Sequence, residues 1–173
     1  PQPTVTSIAL RLRASGAGQR PTAATFLFAG GTLDGSYDTR TPVMVAIPAD
    51  ATRVELVALV SGHGSVPPGN CAEFCDHTHE LVVNGHAHTV SFPRAGDQTG
   101  CLDRAGRVPD QGGTWWFGRT GWCPGAAVTP WVVDVTSEAR PGTTATVTYR
   151  ALIAGAPPTG NQGNVALSSW LVV

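Results

Sequence analysis

The sequence has no lysine and only four glutamates, and charged residues make up 13% of its 173 residues. Its 11 basic side chains are therefore all arginines, and the formal net charge at pH 7 is -1. Proteins that bind nucleic acids or anionic membranes usually present a basic surface, which this composition does not suggest. We therefore expect neither as a partner.

Long apolar runs are also missing. None approaches the roughly 20 residues that a helix needs to span a bilayer, so we expect no membrane span. The residues that follow Pro1 lack the basic and apolar regions of a signal peptide. We therefore expect a soluble chain that is a mature or trimmed product.

Turn-forming residues and short apolar runs are abundant. The chain has 21 glycines and 14 prolines, and 42% of its residues are hydrophobic, which is typical of one folded, turn-rich domain. Nine apolar runs are bounded by Gly, Pro, Asn or Asp, and none keeps a 3.6-residue period. They cover residues 5–13, 24–29, 43–47, 54–60, 77–83, 88–92, 128–135, 143–153 and 165–173. This pattern predicts an all-β fold, a single antiparallel β-sandwich of jelly-roll type with eight or nine strands.

The strand pattern lapses over the 35 residues 93–127. A connection of this length inside a compact domain is usually functional. It contains Trp115, Trp116 and Trp122, so we interpret it as a candidate functional loop.

The four cysteines are Cys71, Cys75, Cys101 and Cys123. An even number in a loop-rich sequence indicates two disulfides and an oxidising compartment, although four cysteines permit three pairings. The C-x3-C and C-x21-C spacings lack the paired C-x2-C of common zinc modules. Disulfides are therefore favoured over a zinc site.

The stretch 61–85 is the first candidate for chemistry. It places one of the four glutamates, Glu73, between Cys71 and Cys75, and it ends in Asn84-Gly85. Asn-Gly between two strand-like runs is a strong signal for a hairpin with a type I′ turn.

The predicted hairpin would pair Val83 with His86, Leu81 with His88, His79 with Val90, and His77 with Phe92. Because side chains alternate along a strand, these eight residues share one face. His77, His79 and His88 are then near enough for a zinc or copper site. The alternative is that this face is the buried side of the sheet, with its histidines satisfied by hydrogen bonds.

Several motifs in a fixed order resemble a known family. SGHG, NCAEFC and HTHELVVNG lie within residues 61–85, GTWWFGRTGWCPG covers 113–125, and VVDV covers 132–135. Together they resemble the C-terminal domain of the bacterial peptide-N-glycosidase F family, with weaker similarity from about Thr32 to the end. The resemblance implies an eight-stranded jelly roll, a secreted or periplasmic location, and the disulfides Cys71–Cys75 and Cys101–Cys123.

The resemblance also implies an activity. Enzymes of the family hydrolyse the amide between the innermost N-acetylglucosamine of a glycan and asparagine, at a site between two jelly rolls. The implied partner is an N-linked glycan or glycopeptide, with no cofactor. Glu73 matches the family's active-site glutamate and Arg119 a motif arginine, so the resemblance implies that both are catalytic. A carboxylate would hold water or the amide nitrogen, and a guanidinium would steady an oxygen.

Four further residues are candidates for substrate binding. Trp122 matches the motif tryptophan of the family, and with Trp115 or Trp116 it would present an aromatic face to a hexosamine. His63 stands where the family has a tryptophan.

The sequence also departs from the family pattern. The family's nucleophile-activating aspartate belongs to an N-terminal domain that these 173 residues do not contain. Residues 1–30 predict N-terminal strands flanking the core fold, and residues 31–173 predict the jelly-roll domain. Gly118 replaces the acid that precedes the motif arginine.

We therefore expect a glycan-related secreted domain similar to the C-terminal half of a peptide-N-glycosidase. It would be an amidase only when an N-terminal domain or neighbouring subunit completes it. One alternative is a non-catalytic jelly-roll subunit for extracellular binding or assembly. The other is a copper or zinc protein, because the H-x-H pairs at 77–79 and 86–88 resemble those in copper-binding domains of ascorbate-dependent monooxygenases.

Overall fold

The structure, a computed structural model, describes residues 20–64, 67–103 and 113–173. In these ranges the strands are β1 (Ala24–Thr32), β2 (Val43–Ala46), β3 (Glu55–His63), β4 (His77–Val83), β5 (His86–Val90), β6 (Trp131–Asp134), β7 (Thr144–Ile153) and β8 (Asn164–Val172), and one helical turn, α1 (Cys71–Phe74), precedes β4. Each predicted run from residue 24 onward corresponds to one of these strands. The predicted strand at 5–13 lies outside the described residues.

The eight strands form two antiparallel sheets of four, with strand orders β1-β8-β3-β6 and β2-β7-β4-β5. Every connection changes sheet except the β4–β5 hairpin, which is the topology of an eight-stranded jelly roll. The predicted antiparallel sandwich is therefore confirmed. Within the described ranges, no helix has the length and apolar composition needed to cross a membrane.

The core lies between the sheets because alternate residues of each central strand point inward. Leu56 and Val60 of β3 are buried on one sheet, and Leu81 and Val83 of β4 are buried on the other. Full burial of such a side chain stabilises the fold by about 2 kcal/mol. The face of β4 that carries these two residues also carries His77 and His79, so two imidazoles lie inside the core.

The β4–β5 hairpin has the predicted turn and most of the predicted register. Asn84 and Gly85 both have positive φ, at 48° and 89°, as a type I′ turn requires. Val83 faces His86, Leu81 faces His88 and His79 faces Val90. The predicted pairing of His77 with Phe92 is wrong, because β5 ends at Val90. The backbone N–H of Phe92 instead donates to Oδ1 of Asp76 at 2.7 Å.

The connection between β5 and β6 is a folded loop. Residues 91–103 and 113–130 contain turns and no strand. A Cys101–Cys123 disulfide joins the two parts, with 5.6 Å between the Cα atoms. Gly118 also packs closely against the first part, since a Cβ atom there would be 1.8 Å from the carbonyl oxygen of Arg94. This contact explains why no acidic side chain stands at position 118.

Three segments converge at the end of β3. A Cβ atom on Gly62 would lie 1.6 Å from the carbonyl oxygen of Ala72 in α1 and 2.9 Å from Cβ of Thr120. The N–H of Gly62 donates to the carbonyl of Thr120 at 3.0 Å. Only glycine permits this approach, which brings α1 and the loop together over the strand.

We predict that Gly62→Ala lowers the free energy of unfolding by about 3 kcal/mol or more, because the new methyl group overlaps a backbone carbonyl that cannot move freely. Urea denaturation monitored by tryptophan fluorescence measures the change. The matched control is Gly31→Ala in β1, where a Cβ atom meets nothing within 4 Å and the expected change is within about 1 kcal/mol. Equal stability of the two variants would contradict the proposed close approach.

Candidate functional site

Glu73 is held in a short, cross-linked turn. It is in the four-residue α1, and a disulfide joins Cys71 to Cys75 with 4.7 Å between their Cα atoms. The N–H of Ala72 donates to the carbonyl of Gln162 at 2.7 Å, which attaches the turn to the segment before β8. The disulfides implied by the family resemblance are thus both present, and Glu73 has little backbone freedom.

The carboxylate of Glu73 is almost buried and has two fixed donors. Nε of Arg119 donates to Oε1 at 2.7 Å, and the backbone N–H of Gly64 donates to Oε2 at 2.8 Å. The side chains of Glu73 and Arg119 are 11% and 7% exposed. A charge pair this sheltered would cost about 3–5 kcal/mol if one partner were removed, because the other would stay buried and unpaired.

Arg119 is committed mainly to the backbone of its own loop. Besides Nε, its Nη1 donates to the carbonyls of Trp115 and Phe117, at 3.2 and 2.8 Å, and Nη2 donates to that of Thr114 at 3.0 Å. The guanidinium also lies over the Trp122 ring, 4.9 Å from its centroid. Four of the five N–H groups of Arg119 therefore have partners, and the side chain links the loop to Glu73.

Trp122 and His63 form an aromatic pair beside the carboxylate. Their ring centroids are 5.2 Å apart, with 32° between the planes. Nε1 of Trp122 donates to the carbonyl of Gly62 at 2.8 Å, and Nε2 of His63 lies 3.0 Å from Oγ of Ser61. These hydrogen bonds fix both rings with respect to β3.

An open cleft of about 790 Å³ lies against these groups. It is lined by His63, Gly64, Pro67, Pro68, Gly69, Glu73, Trp122, Asn161, Gly163 and Asn164. The predicted residues Glu73, Trp122 and His63 thus share one cleft, with Arg119 behind the carboxylate. On its other side Trp122 lines a second cavity of about 410 Å³.

The other two predicted tryptophans are not among the residues that line this cleft. Trp115 contributes its carbonyl to Arg119, and the carbonyl of Trp116 accepts from the N–H of Cys101 at 2.9 Å. The side chain of Trp116 is exposed. Their contribution to sugar binding stays a prediction.

The three histidines predicted as metal ligands do not form a metal site. Among the described residues, no group of three His, Cys, Asp or Glu side chains could hold a metal ion. His77 and His79 are buried and use their ring nitrogens in hydrogen bonds, as the alternative interpretation of this face expected. His88 is half-buried on the edge strand β5, and its Nε2 has no hydrogen-bond partner among the described residues.

The buried histidines belong to a chain of hydrogen bonds with a fixed direction. The carbonyl of Ala72 can only accept, so Nε2 of His77, 2.9 Å away, carries a proton. Nδ1 of His77 then accepts from Nε2 of His79 at 2.8 Å, and Nδ1 of His79 accepts from the hydroxyl of Tyr149. The Tyr149 oxygen accepts from Tyr37 at 3.1 Å. Both imidazoles are neutral in this arrangement.

Burial favours the same neutral forms. Loss of hydration lowers the pKa of His77, although the carbonyl of Ala72 opposes the shift. The pKa of His79 is well below its ordinary value because of burial, the neighbouring His77 and the charge of Arg40. Burial also raises the pKa of Tyr149 well above its ordinary value, so its hydroxyl keeps its proton.

Several residues of the site had no signal in the sequence. Gly64 contributes only a backbone N–H, and Thr120 is fully buried with partners far away along the chain. Asn161 and Asn164 reach the cleft because β8 lies next to β3, where Asn164 faces His63. Local sequence patterns do not predict such long-range contacts.

Comparisons with known proteins agree with the fold. The family model described as peptide-N-glycosidase F, C terminal, matches residues 34–172. A relative from Elizabethkingia miricola, named peptide-N(4)-(N-acetyl-beta-D-glucosaminyl)asparagine amidase F, is 30% identical over 134 residues. The aligned region is 74% of this chain but only 36% of that relative.

Two solved structures have the same fold. One is a crystal structure of peptide-N(4)-(N-acetyl-beta-D-glucosaminyl)asparagine amidase, with a TM-score of 0.68 and 21% identity, covering 87% of this chain and 51% of that one. The other is PNGase F, a glycosylasparaginase from Flavobacterium meningosepticum, with a TM-score of 0.64 and 20% identity, covering 87% and 50%. The chain therefore spans about half the length of these structures.

We predict that Arg119→Lys lowers the free energy of unfolding by about 3 kcal/mol, because an ammonium group cannot reach Glu73 and three carbonyls at once. Urea denaturation measures the loss. Arg150→Lys is the matched control, since Arg150 also donates through Nε to a glutamate at 2.7 Å but is 55% exposed. Its expected loss is below about 1 kcal/mol, and similar losses in the two variants would contradict the structural role given to Arg119.

We also predict that the protein loses stability as the pH falls below 6.5, the ordinary pKa of histidine. The pKa values of His77 and His79 are lower in the folded state, so below 6.5 the unfolded state binds more protons. Each histidine would then contribute a slope of up to about 1.4 kcal/mol per pH unit. Urea denaturation between pH 5 and 7.5 measures the slope. His79→Phe should flatten it and the exposed-site variant His86→Gln should not; an unchanged slope in His79→Phe would refute the assignment.

Proposed function

This chain belongs to the family of peptide-N-glycosidase F C-terminal domains, and from that membership we propose that it is the C-terminal half of an amidase that removes N-linked glycans from asparagine. The observation that carries the proposal is the position of Glu73. Its carboxylate is fixed by Arg119 and the N–H of Gly64 at the wall of a cleft that also contains Trp122.

The fixed carboxylate suits the chemistry of amide hydrolysis. Each carboxylate oxygen has two acceptor positions, and one position on each oxygen of Glu73 is already used. The others are available to a water molecule or to the N–H of the glycosylated amide. Because both oxygens are held, Glu73 would orient such a group without first reorganising.

The cleft suits a sugar attached to a peptide. Its volume of about 790 Å³ is within the range of small-molecule sites, which is about 300–1,000 Å³. The exposed ring of His63, packed on that of Trp122, offers an aromatic surface for a hexosamine ring. Asn161 and Asn164 also line the cleft, and the N–H groups of their amides would donate to sugar hydroxyl or acetamido groups. The proposed substrate is an N-linked glycan or glycopeptide.

The described residues do not place in the cleft the activating aspartate that the family resemblance implies for turnover. Among the described lining residues, Glu73 is the one carboxylate. Hydrolysis needs a second group to activate water or to protonate the leaving amine. Since the chain spans 36% of its relative from Elizabethkingia miricola, we propose that an N-terminal domain or partner chain contributes it. Two disulfides support a secreted or periplasmic location for the assembly.

A second candidate function is glycan binding without catalysis, in an extracellular binding or assembly subunit. The hydrogen bonds of Arg119 support it. Four of its N–H groups already have partners and its charge is paired with Glu73, so it has little capacity left to stabilise a reacting oxygen. The same cleft would then hold the sugar without cleaving the amide.

We predict that Glu73→Gln slows glycan release by about 100-fold or more, because the carboxylate that orients the reacting group is lost. For the assay, residues 20–173 are joined to the N-terminal half of the relative and given a denatured N-glycoprotein, with released glycans measured by mass spectrometry. The control is Glu80→Gln, which removes a β4 carboxylate that is paired with Arg150 of β7. Glycan release at equal rates by the two variants would refute the role of Glu73.

Binding separates the two candidate functions. Titration of the wild-type chain with chitobiose, followed by tryptophan fluorescence, tests for sugar in the cleft. Binding without any release by the joined protein would favour the non-catalytic function. Release that depends on Glu73 would favour the amidase.

A further inference from the structure

The hydrogen-bond chain from Tyr37 to Ala72 has no part in the proposed hydrolysis, yet it ends next to Glu73. Its last donor is Nε2 of His77, which lies 2.9 Å from the carbonyl oxygen of Ala72 and 3.0 Å from Oγ1 of Thr120. Ala72 precedes Glu73, and Thr120 follows Arg119. One N–H group therefore lies between the backbone segments that carry the two members of the ion pair.

Thr120 strengthens this connection through its own backbone. Its N–H donates to the carbonyl of Glu73 at 2.9 Å, and its carbonyl accepts from Gly62 at 3.0 Å. Its hydroxyl donates to the carbonyl of Cys75 at 3.2 Å and is then oriented to accept from His77. Thr120 thus contacts the turn that holds Glu73 at two backbone carbonyls, while it follows Arg119 directly.

His77 cannot contact a substrate, because it is 1% exposed and lies beneath the turn rather than in the cleft lining. Packing alone does not explain a histidine at this position either. A buried polar ring costs free energy unless both nitrogens are satisfied, and an apolar residue would fill the space without that requirement. The two nitrogens have separate tasks: Nδ1 accepts from His79, and Nε2 donates toward Ala72 and Thr120.

We propose that His77 is a positioning residue for the Glu73–Arg119 pair, acting through the carbonyl of Ala72 and the hydroxyl of Thr120. The proposal deepens the proposed function and rests on it for the use of Glu73 as the acting carboxylate. The Nε2 donor fixes the distance between α1 and the loop, and through them the geometry of the ion pair. Nδ1 serves the core and is not needed for this task.

Two substitutions separate the nitrogens. The amide of His77→Gln reaches the position of Nε2, so it can still donate to Ala72 but no longer accepts from His79. The amide of His77→Asn reaches only the position of Nδ1, so it can still accept from His79 but no longer donates to Ala72. Each variant gives up the hydrogen bonding of one ring nitrogen and keeps that of the other, so each is the stability control for the other.

NMR of the 15N-labelled 173-residue chain supplies the readout without any assay of catalysis. The Nε–H signal of Arg119 reports its bond to Glu73, and the amide of Gly64 reports the bond to the other carboxylate oxygen. We expect His77→Gln to retain both signals. In His77→Asn we expect both to shift and to exchange with solvent about tenfold faster or more. Equal behaviour of the two folded variants, with both signals kept or both lost, would overturn the proposal.

If neither His77 variant folds, the hydroxyl of Thr120 gives the same test from the other side. Thr120→Val keeps the shape and removes the hydroxyl, whereas Thr120→Ser keeps the hydroxyl. We expect faster exchange at Arg119 and Gly64 in the valine variant alone, and no difference between the two would overturn the proposal. The NMR signals of Arg119 and Gly64 report geometry and do not depend on whether the protein releases glycans. Glu73→Gln cleaving at the wild-type rate would therefore refute the proposed function while leaving the geometric role of His77 intact.

Discussion

The end of the sandwich that carries the cleft depends on the burial of one charged pair. Glu73 and Arg119 are almost fully removed from water, and a buried charge is tolerated only when it is paired and hydrogen-bonded. This requirement accounts for the N–H of Gly64 on the carboxylate and the three carbonyls on the guanidinium. The hydrogen bonds of Glu73 and Arg119 thus join the loop, α1 and the end of β3.

The jelly roll makes this arrangement possible by bringing distant segments to one end of the molecule. β3 and β8 are neighbours in one sheet, so His63 and Asn164 lie side by side although they are far apart in the sequence. Glycines allow the remaining approach, since Gly62 leaves no room for a Cβ atom beneath the carbonyl of Ala72. The two disulfides hold the turn and the loop that meet there.

Local patterns predicted the strands and the hairpin, because alternation and an Asn-Gly turn are encoded by residues close in sequence. The family motifs pointed to Glu73, Trp122 and His63, which share the cleft. The metal prediction has no three-residue ligand group to support it among the described residues, for a specific reason. Sequence placed His77 and His79 on one face, but their partners Tyr149 and Thr120 come from β7 and the loop, and only the fold brings them together.

The contacts of Arg119 also describe how the loop around it is built. Carbonyls of Thr114, Trp115 and Phe117 converge on the guanidinium, much as main-chain oxygens surround a bound cation in other proteins. Here the cation is the guanidinium of Arg119, which is covalently part of the loop whose carbonyls it binds. Unlike a metal ion, this cation cannot be chelated, exchanged or diluted away. The conformation of the loop around Arg119 therefore does not depend on which metal ions the surrounding solution contains.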